Sequence, residues 1–145
     1  MKVAIAADHG GFEYKEAIKK LLEEMNIEYK DFGTHKDESV DYPDYAKPVS
    51  ENVANGNFDK GILICGTGIG MSIASNKVKG VRCALVHDVF TAEVTRQHND
   101  SNVLALGQRV IGEGLALLIV KTWLTSEFEG GRHQKRIDKI EGDCS

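Results

Sequence analysis

With 145 residues, 41% of them hydrophobic, and no compositional break, the chain is long enough for one compact domain with a full core. Eighteen basic residues against 22 acidic ones leave a formal net charge of −4. That provides no overall field for nucleic acid or an anionic membrane, so any anion has to be held by a local cluster. Cys65, Cys83 and Cys144 form no CxxC pair, which argues against a disulfide framework and against a thiolate metal site.

Along the chain, short apolar runs rich in β-branched residues alternate with helical patterns, the signature of βαβ units. Val3 to Ala7 is the first predicted strand. Tyr14, Ala17, Ile18, Leu21, Leu22 and Met25 then follow the three-and-four spacing of one apolar helix face. A second strand is expected around Tyr29 to Phe32. Asp44 is placed to cap a helix carrying Ala46, Val49 and Val53, with Pro48 tolerated near its start. The near-continuous apolar run Gly61 to Cys65 reads as a strand buried on both faces at the sheet centre. Val81 to Val86 and Val103 to Leu106 complete the strands, and helices are expected over Ile69 to Asn76, Asp88 to His98 and Glu113 to Leu124.

The run Leu115 to Leu124 is far short of the roughly 20 apolar residues of a membrane span and is expected to be a buried helix. The amino terminus reaches Asp8 too early for a signal-peptide core, so a cytoplasmic location is expected. These elements predict an α/β fold in a single domain: a doubly wound, Rossmann-like sheet of about five parallel strands with helices on both faces. From about residue 126 a basic helix and a mobile tail are expected. Ligands of such sheets bind beyond the carboxyl ends of the strands.

Polar clusters follow the predicted strands: Asp8-His9-Gly10-Gly11, Gly66-Thr67-Gly68-Ile69-Gly70 and His87-Asp88. They are expected to meet on one rim. The strongest signal is a thiol, Cys65, at a strand end before a loop with glycine at alternate positions that opens a helix. Such glycines let backbone N–H groups converge, a cradle for phosphate or an oxyanion, and thiols at helix starts ionise readily. An inert core thiol beside a tight turn remains open, since free cysteine is commonly buried. A dinucleotide loop fits poorly, because its third glycine would fall at Met71.

Arg132 and Arg136 lie four apart and share a face if helical, a pairing suited to phosphate, although short basic runs are also common on solvated faces. Arg109 is a third possible anion contact. His98 closes a helix, where the dipole favours histidine, and is also able to exchange protons near neutral pH. Asp8 is able to cap the next helix, and Tyr42-Pro43 reads as a turn. No histidine spacing matches a metal motif, so no metal is expected.

Five motifs in order, Asp8-His9-Gly10-Gly11-Phe12, Asp41-Tyr42-Pro43, Cys65 to Gly70, Arg96 to Asp100 and Gly130 to Arg136, resemble the type B ribose-5-phosphate isomerases, which are themselves similar to the galactose-6-phosphate isomerase subunits. The resemblance runs from Val3 to about Ile137. It implies an aldose–ketose isomerase of the non-oxidative pentose phosphate pathway, working without cofactor on a small sugar phosphate. Cys65 would be the base between C2 and C1, with Thr67 assisting and the backbone of Gly66, Thr67, Gly68, Ile69 and Gly70 stabilising the enediolate. His98 would open the sugar ring. Asp8, His9, Tyr42 and Asn99 would line the sugar, and Arg109, Arg132 and Arg136 the phosphate.

Some relatives use a glutamate a few residues further on, but Met71 to Asn76 holds no carboxylate. The resemblance also implies a homodimer or dimer of dimers with the site shared between subunits, and the helix Leu115 to Leu124 as part of an interface. A six-carbon substrate (allose or galactose 6-phosphate) and a non-catalytic phosphosugar-binding domain remain as alternatives.

Overall fold

The computed structural model describes residues 1–36 and 38–142. The elements run β1 (Lys2–Ala7), α1 (Phe12–Glu24), β2 (Glu28–Asp31), α2 (Pro43–Ala54), β3 (Lys60–Cys65), α3 (Ile69–Ser75), β4 (Cys83–Leu85), α4 (Val89–Asn99), β5 (Val103–Gly107), α5 (Glu113–Thr125) and α6 (Arg132–Ile140). The strands form a parallel five-stranded sheet in the order β2-β1-β3-β5-β4. β3 lies at its centre, as its two-sided apolar character requires, and Ile62, Leu63 and Ile64 are fully buried. Alternate residues of each strand feed two cores. One joins Ile5, Ile62 and Leu104 to Ile18 and Leu22 of α1, Ala92 of α4 and Ile119 and Trp123 of α5. The other joins Ala4, Leu63 and Ala105 to Ala46 and Val49 of α2 and Met71 of α3. The fold is therefore doubly wound, as the alternating pattern predicts.

Several local expectations change. α2 is entered from Tyr42, with Pro43 in its first turn, so Tyr42-Pro43 begins the helix and Asp44 lies inside it instead of capping it. Pro48 consequently falls further into the helix than a first-turn proline. Asp8 does not cap α1, whose N-cap is Gly11; its Oδ1 accepts the Gly10 N–H at 2.8 Å. β4 is shorter than Val81 to Val86 because the Arg82 N–H is taken by the Asn102 side chain before the ladder begins. α5 is apolar all round yet only partly covered: Trp123 is fully buried, whereas Leu118 is 50% exposed. The basic helix is α6, and the end of the expected tail lies outside the described residues. Among the described residues no helix is long and apolar enough to cross a membrane.

One buried charge ties the first crossover together. Lys15 is fully buried on α1, one turn before Ile18, and its Nζ bonds Asp31 Oδ2 at the end of β2. Lys19 reaches the same oxygen at 2.9 Å, and the Gly33 N–H donates to Asp31 Oδ1 at 2.8 Å. Burial pushes the Asp31 carboxyl up, but the lysine and backbone hydrogen bonds outweigh it and hold the group below its usual range. Because the folded group titrates below the unfolded one, its stabilisation is present above the unfolded value near 4 and is lost as pH falls through the lower folded value. Asp31→Asn leaves the buried Lys15 charge with only the half-exposed Glu16 carboxylate, 3.4 Å away. It is expected to cost about 3 kcal/mol in urea unfolding at pH 7 and to flatten the fall in stability on acidification below about pH 4.

Candidate active site

The loops after β1, β3 and β5 meet at the carboxyl edge of the sheet around an open cleft of about 420 Å³, lined by Asp8, Tyr42, Cys65, Thr67, Ile73 and Arg109 with the backbone of the glycine loop. Cys65 ends β3, and its Sγ is 3.1 Å from the Gly68 N–H, which donates to it. The residue is 5% exposed, so the sulfur lies at the floor of the cleft with a backbone donor already on it. Cys83 makes a contrast: burial, only partly offset by a hydrogen bond with Ser75, pushes its thiol up to about 12, which leaves it inert near neutral pH.

The glycines of the loop are set by contact as well as by conformation. Gly68 has φ +78°, and a Cβ there would lie 2.6 Å from Leu85 and 2.8 Å from the Leu106 backbone. A Cβ at Gly70 would lie 2.6 Å from the Tyr42 ring, so the ring packs on bare backbone. From β5, the N–H groups of Gln108 and Arg109 donate to the carbonyls of Cys65 and Gly66, both at 2.9 Å, and the exposed Arg109 side chain runs over Gly66. Thr67 and Ile69 face solvent at the mouth. Asp8 is buried beside the loop, while the half-buried His9 accepts the Val40 N–H on Nδ1 at 3.2 Å. His87, after β4, accepts the Gly107 N–H on Nε2 at 3.1 Å; burial lowers its pKa, with Asp88 opposing, so it stands as a neutral brace behind the site.

The remaining sequence candidates lie elsewhere. α4 runs back from the carboxyl edge, so His98 and Asn99 at its end sit before the first residue of β5, whereas Cys65 pairs in register with the last residue of that strand, Gly107. The two groups are separated along the sheet by roughly 13 Å or more. The loops after β1, β3 and β4 lie at the carboxyl edge, as expected of one rim, while His98 lies at the other end of the sheet. His98 belongs to a second cluster with α6: its ring stacks on His133, centroids 4.2 Å apart and 12° between planes. Arg132 and Arg136 stand exposed beside it on α6, as their four-residue spacing predicts.

Glu129 completes this cluster, its Oε1 lying 3.7 Å from His98 Nε2 and 3.4 Å from His133 Nε2. The three donors fall within 4.8 Å of one another. Stacked rings, however, carry their in-plane lone pairs side by side, so these do not converge on a point about 2.0–2.1 Å from each, as zinc would need. Sequence reasoning passed over Glu129 and gave His133 no role, because their partner His98 is remote in the chain. The one local signal was the Glu129-to-His133 spacing of four across a helix start.

The chain matches the Ribose/Galactose Isomerase family model over residues 3–140. It is 64% identical over 141 residues to YwlF of Bacillus subtilis (strain 168), provisionally named a sugar phosphate isomerase, covering 97% of this chain and 95% of that protein. It is 50% identical to ribose-5-phosphate isomerase B of Escherichia coli (strain K12), covering 96% and 93%. The structure superposes on Clostridium thermocellum ribose-5-phosphate isomerase B with a TM-score of 0.96 at 53% identity, covering 97% and 95%. For the Mycoplasma genitalium ribose-5-phosphate isomerase B with bound ribulose-5-phosphate the TM-score is 0.93 at 44% identity, covering 97% and 94%. Matched from β1 to the end of α6, in sequence and in fold, the chain belongs to the Ribose/Galactose Isomerase family.

Proposed function

We propose that this protein interconverts ribose 5-phosphate and ribulose 5-phosphate through an enediolate, with Cys65 as the base. The observation that carries the reading is the Cys65 sulfur at the floor of a cleft beyond a strand end, with the Gly68 N–H donating to it. The thiolate is the form able to remove a proton, and the Gly68 N–H is placed to hydrogen-bond it.

The thiolate takes the proton from C2 of the open-chain aldose. The C–H electron pair becomes the C1=C2 double bond as negative charge moves onto O1. The thiol, whose proton exchanges in part with solvent, then protonates C1 while the O2 proton moves to O1 by way of Thr67, giving the ketose. The glycine-loop backbone faces the developing oxyanion, a contribution of a few kcal/mol per donor in comparable sites. Tyr42 and Asp8 border the sugar and Arg109 reaches toward the anion.

Ribose 5-phosphate is mainly a closed ring, so an acid has to protonate the ring oxygen as the C1–O bond breaks and the anomeric hydroxyl gives up its proton. His98 is the proposed acid. It lies at the opposite sheet edge from Cys65 in its own chain, so the reading includes a second copy whose His98, Asn99, Arg132 and Arg136 complete the cleft. Exposed apolar side chains flanking the cleft, Ile69, Ile73, Leu85 and Phe90, support a covering subunit there. The phosphate is then held between the arginines of one chain and the loops of the other, with His9 beside it.

In EDTA, the purified protein is expected to convert ribose 5-phosphate to ribulose 5-phosphate, and Cys65→Ala to lower kcat on the order of a thousandfold. Full turnover by the variant would overturn the assignment of the base. Conversion of allose or galactose 6-phosphate in place of the pentose would move the substrate to six carbons.

A complementation test addresses the shared site. Cys65→Ala and His98→Ala proteins, each nearly inactive, are expected to recover about a quarter of wild-type activity after unfolding and refolding in a 1:1 mixture, because half the dimers are mixed and each has one intact site of two. No recovery would place both groups in one chain's site.

A further inference from the structure

The second cluster contains more than the proposed acid. His133 is 6% exposed, and its Nε2 is buried without a hydrogen bond, aimed at the Glu129 carboxylate 3.4 Å away. Glu129 is itself anchored beside His98, for its N–H donates to the carbonyl of Gln97 at 3.0 Å. Two histidines stacked at 4.2 Å do not both carry positive charge at modest cost, so at most one of them is imidazolium.

The surroundings disfavour charge on His133. Burial lowers the pKa of His133, and His98, Arg132 and Arg136 lower it further, against the opposing pull of Glu129. His98 is 38% exposed and faces the same carboxylate from the other side, its Nε2 3.7 Å from Glu129 Oε1. The charged groups around the pair are Glu129 from the segment before α6, Arg132 and Arg136 from α6, and Asp100 on the turn after α4, already engaged by Arg96 and Arg82.

We infer that Glu129 is a positioning residue for His98: its carboxylate holds the His98 imidazolium against the stacked ring of His133, so that His98 enters the reaction carrying the proton it delivers to the sugar's ring oxygen. The inference rests on the reading of His98 as the ring-opening acid. Ring opening is needed only from the aldose side. Ribulose 5-phosphate has its C5 hydroxyl esterified and closes no furanose ring, so removal of its C1 proton by Cys65 does not draw on His98.

The test is Glu129→Gln, which removes the charge while keeping size and the backbone bond to Gln97; Glu129 is half exposed, so the fold is expected to persist. Two measurements are made on the full protein. The His98 Cε1–H resonance is titrated by NMR in wild type and variant. Conversion of ribose 5-phosphate is then compared with exchange of the ribulose 5-phosphate C1 proton in heavy water. Loss of the anion disfavours imidazolium, so the His98 midpoint is expected to fall by about half to one pH unit. Aldose conversion at pH 7.5 is expected to fall about three- to tenfold more than exchange, with the basic limb of its pH profile moving down by the same amount. An unmoved midpoint, or equal losses in the two reactions, overturns the inference. A wild type that turns over neither sugar would refute the isomerase reading, while the titration would still decide whether Glu129 holds the His98 proton.

Discussion

The loop that cradles Cys65 has almost no room of its own, because the strand beside it is pressed against it. Gly107 closes β5 so tightly on Thr67 that a Cβ there would lie 2.6 Å from the Thr67 backbone, and the next two N–H groups of that chain segment hold the carbonyls of Cys65 and Gly66. His87 fastens Gly107 from behind. Gly11 similarly sits against the Ile64 carbonyl of β3, where a Cβ would lie 2.4 Å from that oxygen, so the loop after β1 is locked to the central strand. Three loops thus share a few ångströms of backbone contact, and the orientation of the Gly68 N–H toward the sulfur follows from that contact. A side chain at any of these glycines would reach the chemistry through the backbone, without touching a ligand.

The central position of β3 was legible because its residues are apolar on both faces, and the alternation of strands with helices was enough to give a doubly wound sheet. The glycine loop after Cys65 was legible for the same local reason: its function and its geometry are written in consecutive residues. What escaped notice depends on partners distant in sequence. Lys15 stands three residues before Ile18 and seven before Leu22, the spacing of the buried stripe, but a lysine is read as solvent-facing unless its counterion is known, and Asp31 enters only when β2 is laid beside β1. Glu129 and His133 escaped for the same reason. Their meaning comes from a ring on α4 that the chain brings near only through α5 and the turn before α6.

The direction of α4 has a larger effect on function than any single contact. A helix between parallel strands has to carry the chain back to the opposite edge, so whatever stands at its last turn is a strand's length from the loops at the carboxyl edge. His98 at that turn and Cys65 at a strand end cannot share one monomer's cleft. The acid and base steps proposed here are therefore divided between the two ends of the fold, and the second cluster has its own organisation, a half-exposed carboxylate set beside one buried and one partly exposed imidazole.

The walls of the cleft differ in how freely they can vary. Its floor is main chain and glycine, and a Cβ at Gly68 or Gly70 would fall within 3 Å of neighbouring side chain or backbone. Its mouth includes the Tyr42 ring, at the start of α2, and Ile73 of α3, exposed at 39% and 58%. Reshaping this pocket for a longer or bulkier sugar, whether by descent or in the laboratory, is therefore easiest through exposed side chains such as Tyr42 and Ile73, with the loop that performs the chemistry left as it is.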